Sequence, residues 1–149
     1  MIARKLFAVV FVIGLCLGLA GCGRKLGDAS NVKRNLNLHK GERFSEEEIM
    51  AAMDCALESF KQFNGCTMKW ITHDETRYDA ETEASYMSSL LAETEVSPEN
   101  VILLFSEFRT PKGAAAGGFY PDTVCSDWKW YLMRDSKDGE WRVMTWGYC

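Results

Sequence analysis

Between Leu6 and Ala20 the chain runs fifteen residues without a charge, directly behind Arg4 and Lys5. A helix needs about twenty apolar residues to cross a hydrocarbon core of ~30 Å, so this run is too short to serve as a stable span. A cationic start, a short apolar core and small residues behind it follow the order of an export signal. Residues 1–21 are therefore expected to leave the mature chain and to contribute nothing to its core.

The junction narrows the expectation. Leu19-Ala20-Gly21-Cys22 resembles the lipobox of bacterial lipoproteins, an apolar residue and two small ones before a cysteine. Small residues suit passage through a narrow peptidase groove, and the Cys22 thiol is the nucleophile at the junction able to take a diacylglyceryl group. The resemblance implies lipidation at Cys22, which then becomes the N-terminus and carries two acyl chains or three. At ~0.8 kcal/mol per buried methylene, two or more chains hold a protein stably on a bilayer. The implied location is the cell membrane, lipid-anchored and facing outside the cytoplasm.

Cleavage at Cys22 removes two basic residues and no acidic ones, leaving 15 basic and 21 acidic residues and a net charge of −6. That charge is divided unevenly. From Gly23 to Arg43 six basic residues (Arg24, Lys25, Lys33, Arg34, Lys40, Arg43) face Asp28 and Glu42; from Phe44 onward the balance is −10. The stretch 22–43 is rich in Gly, Asn, Ser and Lys and poor in large apolar residues, a composition that does not bury enough surface to order itself. It is expected to be a flexible basic tether with a reach of roughly 25 Å, its cations close to anionic headgroups. The acidic remainder carries the wrong sign for phosphate, which excludes nucleic acid as a partner.

Residues 44–149 are enough for one modest core. Ser45 followed by Glu48 predicts a capping box, and Phe44 is placed to staple onto Ile49. Ile49, Met53, Ala56, Phe60 and Phe63 then form one apolar stripe of a helix ending near Asn64-Gly65. Cys66 to His73 alternates as a strand does. Asp79 to Glu93 reads as a helix with Tyr86, Met87, Leu90 and Leu91 as its apolar positions, and Val101 to Phe108 is a run short enough for a buried strand. A glycine-rich loop spans about Thr110 to Thr123. Trp128–Asp135 and Trp141–Tyr148 flank Lys137-Asp138-Gly139, which predicts a hairpin with Gly139 left-handed. The expected fold is α+β: helix packed on one face of a curved antiparallel sheet of about four strands.

Four cysteines remain in the domain, and an even set in an exported chain suggests disulfides. Cys55 in mid-helix and Cys66 beyond its end differ in height by ~12 Å, too far for a bridge that needs Cα atoms within ~7 Å. In a hairpin that sets Ser136 opposite Glu140, Asp127 faces Cys149 and Cys125 lies diagonally on the same face. The pairing expected is Cys125–Cys149, with Cys55 and Cys66 left as free thiols; a domain without disulfides is the alternative.

Phe44-Ser45-Glu46-Glu47-Glu48-Ile49, Phe63-Asn64-Gly65-Cys66-Thr67, Asp127-Trp128-Lys129-Trp130, Arg134-Asp135-Ser136-Lys137, Trp141-Arg142-Val143 and Trp146-Gly147-Tyr148 together resemble a family of small extracytoplasmic domains carried by lipoproteins of Gram-positive anaerobes. The likeness spans most of residues 44–148 and implies no activity. The closing Gly139 to Val143 pattern is similar to the last strand of nuclear-transport-factor-2-like and cystatin-like folds, which implies a helix lying across a curved sheet.

Candidate chemistry is sparse. In the expected hairpin register Trp128, Trp130, Leu132, Met144, Trp146 and Tyr148 share one face; Tyr131, Met133, Trp141, Val143 and Thr145 share the other. If the second face is core, Trp128, Trp130, Trp146 and Tyr148 form an exposed stacking surface for sugar rings or a partner's side chains; if the first is core, they are packing. The loop Thr110–Tyr120 lacks the Lys-Ser/Thr of a phosphate cradle and is either a mobile rim or a plain connection. His73-Asp74-Glu75 puts an imidazole beside carboxylates at an expected exposed strand end, with further metal ligands to be found elsewhere. No nucleophile with a spaced base is recognisable, so no catalytic residue, metal or cofactor is assigned. The function expected is a non-catalytic binding or interaction module for an envelope protein or glycan; the alternatives are a small enzyme using a sheet–helix cleft and a cystatin-like inhibitor.

Overall fold

The computed structural model describes residues 25–37, 43–92, 95–113 and 118–148. Cys22, Cys149 and residues 1–21, the segment expected to be an export signal, lie outside them. The elements are β1 (Lys33–Leu36), α1 (Glu46–Phe60), β2 (Thr67–His73), α2 (Ala80–Leu91), β3 (Val101–Arg109), β4 (Val124–Met133) and β5 (Arg142–Gly147), with short 3-10 turns at Glu75–Arg77 and Pro98–Asn100. The five strands form one sheet in the order β1-β2-β3-β4-β5, so every strand lies beside its sequence neighbour. β1 runs parallel to β2 and the other pairs are antiparallel.

The α+β class holds, with two differences from the expectation. The sheet is mixed and five-stranded, and its helices lie on opposite faces. β3 shows why. Its run of apolar residues has no polar alternation because both sides are covered: Ile102, Leu104 and Phe108 pack in the cluster with α1, while Val101, Leu103 and Phe105 pack with Met87 of α2.

The extra strand comes from the stretch expected to be tether. Gly27 N–H donates to the Lys61 carbonyl at 3.0 Å, Asp28 N–H to the Cys66 carbonyl at 2.9 Å, and Met68 N–H to the Asp28 carbonyl at 2.8 Å. Gly27 is needed here, since a Cβ at that position would sit 2.1 Å from the Phe60 carbonyl oxygen. β1 then pairs with β2 from Lys33↔Trp70 to Leu36↔His73. An edge strand can be this polar because its side chains alternate between exposed and half-buried positions.

The start of α1 follows its sequence signature. Glu48 N–H donates to Ser45 Oγ at 3.2 Å, and Ser45 N–H donates to Glu48 Oε2 at 2.7 Å. Phe44 and Ile49 are both buried in the α1 cluster. The helix ends at Phe60, and the chain turns through Gly65 at φ 73°. At the hairpin, Gly139 donates its N–H to the Ser136 carbonyl at 2.9 Å without taking a positive φ, so the left-handed glycine expected there is not what closes the turn.

Three irregularities re-phase the strands. Ser126 and Asp127 together oppose Glu107, with Asp127 left-handed at φ 55°; a bulge of this kind turns the strand by one residue and brings Cys125 and Trp128, three positions apart, to the same α1 face. Another register shift falls between Met68 and Trp70, and Ile71 joins Met68 in that cluster. The hairpin keeps its expected register from Lys129↔Gly147 to Tyr131↔Thr145, then slips to Leu132↔Val143. Trp141 and Val143 consequently pack with α1, and Met144 with the α2 cluster, the reverse of their expected faces.

Candidate functional site

The aromatic face of the hairpin meets α1 and is mostly core. Trp130 is fully buried, its indole N–H donating to Ser106 Oγ at 2.8 Å, with ring centroids 5.4 Å from Phe63 and 6.4 Å from Phe60. Trp128 is also buried, against Phe63, Phe108 and Phe119 at 5.4–5.9 Å. Trp146 is 40% exposed and Tyr148 58%. Of the four aromatics considered as an open stacking surface, only these last two reach solvent. Their rings lean on the core pair, Trp146 at 6.0 Å from Trp130 and Tyr148 at 4.9 Å from Trp128.

The glycine-rich loop is tied at its base rather than free to swing there. Thr110 N–H donates to the Thr123 carbonyl at 2.9 Å, Arg109 pairs with Asp122 at 2.6 Å, and Phe119 stacks on Phe63 at 5.6 Å. Residues 114–117 lie outside the described set.

On the opposite face, α2 and the β4–β5 hairpin enclose a groove of about 270 Å³. Thr82, Glu83 and Tyr86 form its helical wall, Lys129 and Tyr131 its floor, and Thr145 to Tyr148 its rim. The rings of Tyr86 and Tyr131 are 5.2 Å apart at 49°, and Tyr86 is 45% exposed. Burial raises the Glu83 carboxyl above its usual range, against the pull of the Lys129 charge and a hydrogen bond from Tyr131. The groove thus combines two tyrosine rings, a carboxylate, an ammonium and two threonine hydroxyls. Thr82, Glu83 and Lys129 carry no sequence signal for this role. Tyr86 does, because it and Leu90 sit four apart and off the Ala84-Met87-Leu91 line; both stay exposed while Ala84 and Met87 are buried.

His73 is fully buried and not an exposed strand end. Its Nε2 lies 3.3 Å from the Tyr78 hydroxyl and 3.9 Å from Glu75 Oε1. Arg43 closes the set, Nε at 2.8 Å from Glu75 and a terminal nitrogen donating to Tyr78 at 3.2 Å. Burial pushes the Tyr78 hydroxyl up to about 12. Asp74 is used locally, accepting from Thr76 N–H at 3.1 Å to cap the following turn. Also over the Phe44 ring, buried Arg134 pairs with Glu48 at 2.7 Å and lies 4.5 Å over the Trp141 ring. These side chains pack the ends of the fold, and among the described residues no three His, Cys, Asp or Glu groups converge to hold a metal ion.

Cys55, Cys66 and Cys125 are free thiols, and the expected partner of Cys125, Cys149, lies outside the described residues. Burial raises the Cys55 thiol and pushes that of Cys66 up to about 11, with neighbouring Cys125 adding to the Cys66 effect. Thiols raised this way stay protonated at neutral pH, and the protonated form is a poor nucleophile. Among the described residues no helix is long and apolar enough to cross a membrane. Comparison with known proteins finds no family model, no curated protein and no solved structure that matches the chain.

Proposed function

We propose that this chain is a membrane-anchored extracytoplasmic lipoprotein whose α+β domain works as a non-catalytic binding module for an envelope protein or glycan. The observation that carries the binding role is the groove between α2 and the β4–β5 hairpin, where two aromatic rings and four polar side chains converge on one small space. Grooves of mixed character with a few convergent polar groups are where ligands are held. The candidates for chemistry support the non-catalytic side, since the Cys66 thiol is raised and His73 is packed beneath Phe44 and Tyr78. The anchoring role rests on Leu19-Ala20-Gly21-Cys22 and the apolar run before it. We read the half of the domain in which α1 crosses the sheet as the nuclear-transport-factor-2-like or cystatin-like arrangement, with α2 as an addition on the other face.

Two measurements test this. Mass spectrometry of the native N-terminus should find acylated Cys22, and Cys22→Ser should release the protein or leave its signal segment attached. The acylated wild-type chain should co-sediment with isolated cell envelopes. An intact, unmodified chain in the soluble fraction would overturn the anchoring, and absence of any envelope retention beyond that of vesicles alone would overturn the binding role.

A further inference from the structure

We propose that the groove between α2 and the β4–β5 hairpin is a glycan subsite that takes one uncharged sugar ring, its C–H face on Tyr86 and its hydroxyls on Glu83, Lys129 and Thr145. This deepens the binding role above and rests on it. Size is the first argument. At about 270 Å³ the groove falls just below the ~300–1,000 Å³ of pockets for drug-sized ligands, so it matches a single ring and not a folded chain. Because residues of β5, an edge strand of the sheet, line it, a ring seated in it can belong to a longer polymer that continues into solvent.

The second argument is chemical. A sugar ring presents apolar C–H groups on its faces and, around its perimeter, hydroxyls that both donate and accept. It therefore needs an aromatic face together with donors and acceptors. Tyr86 is half-exposed, and its tilt against Tyr131, 49° at 5.2 Å, leaves an angular notch rather than a closed stack. Glu83 lies one helical turn before Tyr86, so both project from the same side of α2. Its carboxylate accepts, the Lys129 ammonium donates, and the Thr82 and Thr145 hydroxyls do both.

The third argument is charge. Glu83 feels the Lys129 ammonium and also the Asp79 carboxylate, so the groove holds no surplus positive charge. A phosphate or an acidic sugar would bring a second negative charge beside Glu83 without a surplus cation to meet it. An uncharged ring meets no such cost. The aromatic wall is also held in advance, Tyr86 by Tyr131 and Tyr131 by the buried α2 cluster, so little side-chain freedom is lost on binding.

The experiment uses the full acylated protein in a detergent without a sugar headgroup and reads saturation-transfer NMR on two probes, N-acetylglucosamine tetrasaccharide and maltotetraose. Ring C–H protons of at least one probe should receive saturation from the wild type. Tyr86→Ala should weaken that probe about tenfold, the worth of one aromatic contact, and Glu83→Gln should weaken it several-fold, both in protein that circular dichroism shows to be folded. Tyr120→Ala, on an exposed side chain away from the groove, should leave binding as it is. No transfer to either probe, or transfer indifferent to both groove variants, overturns the subsite. If the wild type is retained by envelopes beyond vesicles alone, and Tyr86→Ala lowers that retention, while the sugars fail, the binding role survives and the sugar assignment falls. If wild-type retention by envelopes does not exceed that by vesicles alone either, both fall.

Discussion

The two faces of the sheet are built from the same strands and are finished differently. Under α1, Phe60, Phe63, Phe108, Trp128 and Trp130 pack ring against ring, most pairs edge to face, and Phe119 from the glycine-rich loop closes over them. Under α2 the cluster is smaller, built on Met87, Val96, Val101, Leu103, Phe105 and Tyr131, and the hairpin end is left open as a groove with Tyr86 beside it. One face is closed by rings that fill it, and the other retains space. The difference teaches where stability is concentrated and where a ligand can be taken without disturbing it.

Deleting one large side chain from each face is the strongest test. Trp130→Ala should cost about 3–5 kcal/mol, the range for buried aromatics, because the cavity is walled by other rings and cannot collapse. It also leaves the buried Ser106 hydroxyl without its indole donor. Met87→Ala should cost about 2 kcal/mol, the low end for buried methionine, because α2 borders an open groove and can settle inward. Urea unfolding followed by tryptophan fluorescence for the wild type and Met87→Ala, and by circular dichroism for all three, measures both. Equal losses would break the contrast.

A smaller effect bears on how α1 is held to its face. Ser45→Ala removes one half of the capping box, with the Glu48 N–H left to water, and should cost about 1 kcal/mol. The equivalent cap on α2, Asp79, accepts from Thr82 N–H at 3.2 Å. Asp79→Ala should destabilise the start of α2 and loosen the groove wall at Thr82. Hydrogen exchange of the α2 amides would then rise in Asp79→Ala and not in Ser45→Ala.

The parts of this molecule that were legible in its sequence are those set by local chemistry. Ser45 and Glu48 announced the start of α1, and the apolar run from Val101 announced a buried strand. The hairpin register held as far as Tyr131↔Thr145. What stayed hidden depends on long-range pairing. Bulges at Lys69, Ser126–Asp127 and Met144 re-phase their strands with no residue type that demands them, although aspartate tolerates the left-handed backbone that Asp127 adopts. β1 escaped notice because an edge strand needs few apolar residues, and its parallel pairing is made by the path of the chain through Gly27 and Asp28. The groove was invisible for a related reason. Glu83 and Lys129 sit 46 positions apart and meet only because α2 crosses to the face opposite α1.

The smallest predicted effect distinguishes the faces by sign. Although burial works against its charge, the Ser45 amide and the Arg134 guanidinium hold the Glu48 carboxyl, beside α1, below the ordinary range; burial raises that of Glu83, beside α2. For Glu48 the unfolded chain binds more protons than the folded one between its lowered value and the ordinary ~4.3. Its contribution is fully present above that range and is lost as pH falls through the lowered value. For Glu83 the folded chain binds more protons between ~4.3 and its raised value, so stability declines as pH climbs through that window. Each contribution should stay below ~1 kcal/mol, because both carboxyls keep water contact. Urea midpoints from acid to neutral pH should show Glu48→Gln flattening the acid limb and Glu83→Gln flattening the decline above it, with Glu83→Gln the more stable of the two at neutrality. If both substitutions acted on the same limb, Glu83 would not be the half-buried carboxyl that lines the groove.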